Sequence, residues 1–127
     1  MRTFIITVIC MILCIAPWTF YSNYSSEAIS YSKSIINYNL IPEVTKENWQ
    51  SAGLYFDEVY DCWQRHKRPA LFFTDKELIA LIDDTLARSE YYIAAKDISN
   101  ASGELASLSR HFDYMLSLEE VSLHNVL

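Results

Sequence analysis

Residues 93–115 read IAAKDISNASGELASLSRHFDYM, and their reading decides the fold. From Ile98 onward, Ala101, Leu105, Leu108, Phe112 and Met115 step by three and four, the spacing that lines one face of an α-helix. Lys96-Asp97 just before them makes a short turn, with Asp97 placed to cap the helix start. Upstream lies a second such pattern, with Leu78, Leu81, Ile82, Leu86 and Ile93 as the apolar face and Asp83, Asp84, Arg88 and Glu90 largely on the wet one. Two amphipathic helices joined by so short a connection predict an antiparallel hairpin. The small residues Ala101, Ser102, Gly103 and Ala106 would let a neighbour approach closely.

Outward from the hairpin, Thr74-Asp-Lys-Glu77 reads as a capping box, the threonine hydroxyl and the glutamate carboxylate each satisfying a backbone N–H at a helix start. Before it, a helix is expected from about Thr45 to Lys67, with Trp49, Ala52, Phe56, Val59 and Trp63 on one face. Earlier still, Tyr21, Tyr24, Ala28, Tyr31, Ile35 and Tyr38 recur at helical spacing, and this tyrosine stripe is read as a packing seam ended by Pro42. With only two glycines and no period-two alternation, the chain is expected to be all-α, an N-terminal transmembrane helix followed by a small antiparallel helical bundle. Trp49, Ala52, Gly53 and Phe56 also fit the first half of a tetratricopeptide repeat. Arg65 and Pro69 break its second half, and no second copy of the repeat exists.

The transmembrane expectation rests on TFIITVICMILCIAPWTFY, residues 3–21, an uncharged run long enough to cross a hydrocarbon layer that needs about 20 helical residues. A cleaved signal peptide is the alternative, but Pro-Trp-Thr-Phe-Tyr after Ala16 is bulky where a small-x-small cleavage site is required, and MILC lacks the small residue of a lipoprotein box. The chain is therefore divided into an anchor, 1–22, that meets membrane lipid, and an outer helical domain, 23–127. Arg2 and the terminal amine favour a cytoplasmic N-terminus with the C-terminal domain outside. Sixteen acidic residues against nine basic ones leave the part beyond the anchor at −7, which excludes nucleic acid as a partner and makes anionic lipid a poor one.

Cysteine usage supplies no framework. Cys10 and Cys14 lie in the anchor and Cys62 is alone beyond it, so no disulfide can form within the outer domain. Cys62 and His66, in DCWQRHKRP at 61–69, share a helix face at i and i+4 and could be two transition-metal ligands, but a structural zinc site needs four and a catalytic one about three. The only other histidines are His111 and His124. Arg65, His66, Lys67 and Arg68 followed by Pro69 read instead as a helix stop, cations near the last carbonyls and then a proline, with Cys62 packed inside. Asp83 and Asp84 are adjacent, point about 100° apart on a helix and cannot share a proton, so both are read as solvated. Arg110-His111 fits a surface charge pattern. No GxSxG elbow or glycine-rich phosphate loop is present. No metal, cofactor or catalytic residue is assigned, and the chain is not expected to be an enzyme.

The tryptophan-marked helix, FTDKELIALIDDTLARSEYYIAAKD, ASGELASLSRHFDYM and the ending SLEEVSLHNVL, with a single N-terminal anchor, together resemble the family of small bacterial membrane-anchored proteins called domain of unknown function 4363. The likeness spans nearly the whole chain and is densest from Phe73 to Leu127. It implies an uncharacterised helical domain from a Gram-positive, spore-forming type of bacterium, with no reaction and no catalytic residues to carry over. It also makes SLHNVL part of the domain.

The expected function is protein–protein interaction in the cell envelope, with a membrane or envelope protein as partner and a homo-oligomer left open. The alternative is an extracytoplasmic ligand-binding sensor using an aromatic-rich interior. The candidate interaction residues are Leu118, Val121, Leu123, Val126 and Leu127, apolar side chains left over once the last helix has its seam. They would either fold back onto the hairpin or dock into another chain.

Overall fold

The computed structural model describes the backbone of residues 1–126 and all side chains except those of 18–25, 72–73 and 119–127. Its elements are α1 (Arg2–Ile35), a π-helical turn (Ile36–Leu40), α2 (Ile41–Thr45), α3 (Trp49–Phe73), α4 (Lys76–Ala94) and α5 (Ile98–Val126). The chain is all-α, its helices packed as a small bundle.

Pro42 does not end the first helix as its position suggests. The Ile41 N–H bonds back to the Ile36 carbonyl, a five-residue reach that widens the turn ahead of the proline ring, and the chain stays helical to Thr45. The end comes through Glu47 at φ 61°, with Asn48 N–H on the Glu43 carbonyl at 2.9 Å. Pro69 likewise lies inside α3, which continues to Phe73, correcting the stop expected there. A proline forfeits one intrahelical bond, and the extra turn is held because Ala70 is fully buried in the core. Thr74 is the residue after α3, its N–H on the Ala70 carbonyl at 2.8 Å, so the cap of α4 falls one position later: Asp75 accepts from the Glu77 N–H at 3.1 Å. Asp97 does cap α5, accepting from the Asn100 N–H at 3.2 Å.

The lower part of α1, α3, α4 and α5 form a four-membered ring in which each helix packs on the next and α5 returns to α1. Side-chain pairs give the direction. Lys33 meets Asp113 and Asn37 meets Ser109, four steps forward from α1 into the π-helical turn for four back on α5, so the two are antiparallel. Tyr31 with Glu58 and Ala28 with Cys62 show the same sense between α1 and α3. In the middle Trp63 of α3 and Phe112 of α5 meet across the diagonal with ring centroids 5.9 Å apart. Around them pack Ile29, Ile36, Leu40, Val59, Ile82, Leu86, Leu105, Leu108 and Met115.

Three apolar faces move relative to expectation. The seam of α1 is Ile29, Ser32, Ile35, Ile36 and Leu40, while Tyr31 is 56% and Tyr38 79% exposed. At Tyr31 and Tyr38 the stripe therefore faces water, because a one-residue offset turns a helix face by about 100°. On α4 Leu81 is exposed and Ile79, Thr85 and Ser89 are buried instead. On α5 only Ala101 of the small-residue group is buried, and a Cβ built at Gly103 would meet nothing within 4 Å, so no neighbour exploits that gap.

From Phe4 to Ile15 the upper part of α1 exposes Phe4, Ile5, Ile6, Ile9, Met11, Ile12, Leu13 and Ile15, apolar on every side. Among the described residues no helix is long and apolar enough to cross a membrane. The stretch from Trp18 to Tyr21, which the expected span includes, lies outside the described side chains. Of the expected interaction residues, Leu118 is exposed. The side chains of Val121, Leu123 and Val126, and Leu127 altogether, lie outside the described residues. The backbone of this segment continues α5 to Val126.

Candidate functional site

The α1–α3 groove gathers the most chemically varied side chains. It is an open cleft of about 280 Å³ lined by Glu27, Ala28, Tyr31, Glu58, Cys62, Arg65 and His66. α3 supplies its far wall because Val59 and Trp63 turn into the core, which leaves Glu58, Cys62 and Arg65 along the edge facing α1.

Within the groove the polar groups answer one another. Tyr31 Oη donates to Glu58 Oε1 at 2.6 Å, and that hydrogen bond, with the carboxylate charge beside it, raises the phenol above its ordinary value near 10. Cys62 Sγ lies 3.8 Å from the Ala28 carbonyl, toward which its thiol proton points. Cys62 and His66 are both buried, and their Sγ and Nδ1 approach to 3.9 Å. His66 Nδ1 is also 2.7 Å from the Cys62 carbonyl oxygen. A carbonyl only accepts, so Nδ1 carries the proton and donates it there. An imidazole nitrogen that already bears a proton cannot take one from the thiol beside it, so this pair is not arranged as a nucleophile and its base. Among the described residues no group of three or more histidine, cysteine, aspartate or glutamate side chains could hold a metal ion. His66 is thus a buried member of the bundle wall, two turns before the end of α3.

The other polar residues singled out by pattern fall elsewhere. Asp83 is not merely solvated: it accepts from Trp63 Nε1 at 2.8 Å and pairs with Lys67 Nζ at 2.6 Å, joining α3 to α4. Asp84 is exposed, as is Arg110. His111 sits beside Arg88 and Glu104, which pair at 3.0 Å, and partial burial with repulsion from Arg88 lowers its pKa despite Glu104. Pattern reading missed the Tyr31–Glu58 pair and the Lys33–Asp113 bridge, which span 27 and 80 positions. A signal for the first did exist. Residues about equally far from Thr45, the last residue of α2, come level once α1 and α3 are taken as an antiparallel pair.

Set against known proteins, residues 20–126 match the family model described as Domain of unknown function (DUF4363). No curated protein matches, and no solved structure does.

Proposed function

The chain belongs to the DUF4363 family, a membership that assigns no reaction, and from that premise we propose that it is a membrane-anchored interaction module of the cell envelope. In this reading α1 crosses the bilayer with its N-terminus in the cytoplasm, and the bundle outside works through contact with another membrane or envelope protein, or with a second copy of itself. The observation that supports it is the upper part of α1. Its large apolar side chains from Phe4 to Leu13 are exposed on every face, while the bundle fills its core without them. A helix apolar all round belongs in lipid or in a protein core. Leu118, exposed on α5, is the described member of the apolar set assigned to the protein contact, with Val121, Leu123, Val126 and Leu127 beyond it.

The groove favours interaction over ligand sensing or catalysis. Two of its polar groups are already engaged within it, Tyr31 with Glu58 and His66 Nδ1 with the Cys62 carbonyl. Two measurements test the reading. Full-length protein should stay with bacterial membranes through alkaline extraction, and protease added outside right-side-out cells should digest the bundle while sparing the N-terminus. Release into the soluble fraction, or a bundle protected from outside protease, sinks it. Deleting Ser122–Leu127 should loosen a cross-linked envelope partner while membrane retention is unchanged.

A further inference from the structure

α1 runs from the apolar segment into the bundle as one helix, so the height of the bundle's end can be read from helix register. On one side Cys62 of α3 lies against Ala28. α3 goes on eleven residues to Phe73, about 16 Å at the helical rise of about 1.5 Å per residue, which brings its end level with Pro17. On the other side Asp113 of α5 lies against Lys33. α5 goes on thirteen residues to Val126, about 20 Å, which brings its end level with Phe20. Two helices that meet α1 through separate contacts thus stop within about 5 Å of each other in height. Pro17 and Phe20 both fall within the last five residues of the apolar run 3–21.

The sequence at both ends suits a boundary between lipid and water. Leu71-Phe72-Phe73 closes α3, and Leu71 is 41% exposed; the chain ends in Val126-Leu127. Arg68 and Lys76 are exposed at the α3–α4 tip, with Asp75 and Glu77 exposed beside Lys76. Aromatic and apolar side chains flanked by cations that reach back to water are the composition of the membrane interface. Glu119 and Glu120 of α5 offset those cations, so the match is to the interface itself and not to anionic lipid.

We infer that the α3–α4 tip, residues 71–73, and the end of α5 sit in the headgroup layer of the bilayer that α1 crosses. The bundle then stands on the membrane and does not hang from it. The inference rests on the anchored reading, and its test separates the two.

Single cysteines at Val8, Leu71 and Ala95, in full-length protein with Cys10, Cys14 and Cys62 replaced by alanine, are spin-labelled and reconstituted into phosphatidylcholine vesicles. Circular dichroism first checks that each variant keeps its helices. The ratio of oxygen to nickel-chelate accessibility then reports depth. Position 8 should read as hydrocarbon and position 95, at the far turn, as water, with position 71 several-fold above 95 and below 8. If position 8 reads as hydrocarbon and 71 matches 95, the inference is overturned while the anchor stands. If 71 is shielded from both probes, protein covers the tip and the inference is again overturned. If position 8 reads as water, the anchor fails and the inference with it.

Discussion

Trp63 is almost wholly buried, and its indole N–H has to find an acceptor that the aliphatic core cannot offer. Asp83 supplies it from α4, and Lys67 neutralises the carboxylate from one turn further along α3. Asp83→Ala should therefore cost about 1–3 kcal/mol, the penalty of a buried donor left without its partner. Asp83→Asn keeps an acceptor and should cost clearly less in the same urea titration; equal losses would mean that the lysine pair dominates. None of this was legible in the sequence, where Asp83 belongs to an adjacent acidic pair on a wet face. Its partner lies twenty positions away and only the packing of α3 on α4 brings them together. His111 gives a pH-dependent counterpart. Burial and Arg88 hold its imidazole below the ordinary value of about 6.5, so the unfolded chain binds the proton more readily. Its contribution to stability is intact above that value and is lost as pH falls through it toward the lower folded pKa. His111→Gln should gain on the wild type in chemical denaturation as pH is lowered from about 8 to about 5, and a constant difference would refute this.

At the scale of elements, the heptad of α5 was fully legible because its apolar face contains nothing amphipathic. α1 was harder, since two stripes one residue apart both keep helical period, and tyrosine reads as apolar while its hydroxyl prefers water. The core chose Ile29, Ile36 and Leu40. The prolines were misplaced for a related reason. Whether a helix survives a proline depends on what the following turn buries, which for Pro69 is Ala70. The helix ends show where the sequence leaves stability unused. Lys96 holds φ 57° with Asp97 N–H on the Tyr92 carbonyl at 3.0 Å, a left-handed position where a side chain is strained and glycine is at ease. Lys96→Gly should raise stability by about 0.5–1 kcal/mol. Gly103→Ala, in mid-helix with open space around its Cβ, should raise it by about as much, roughly 0.5–1 kcal/mol. Thermal denaturation of the two single variants checks both, and a loss at either position would show a constraint beyond the local backbone.

The whole molecule is held at its centre by the diagonal contact of Trp63 and Phe112, which ties the two helices that do not neighbour each other in the ring. Phe112→Ala should cost about 3–5 kcal/mol in urea titration, because no single side chain nearby can collapse into the space. A loss under about 1 kcal/mol would mean that the ring repacks without it. The all-helical bundle and its hairpin could be foreseen from periodicity and connection length. The order of helices around the ring could not, since it depends on pairs such as Asn37–Ser109 that lie 72 positions apart. A helix that continues through Pro17 transmits rotation as well as height, so the face that the upper segment presents in one plane is tied in azimuth to the face that the bundle presents in another. Each added residue would turn one against the other by about 100° and lift it by about 1.5 Å, whereas seven added residues restore the angle to within about 20°. Any partner that grips both levels at once would read that phase. One alanine inserted between Asn23 and Tyr24 should disengage it, and seven should recover much of the grip at a height raised by about 10 Å.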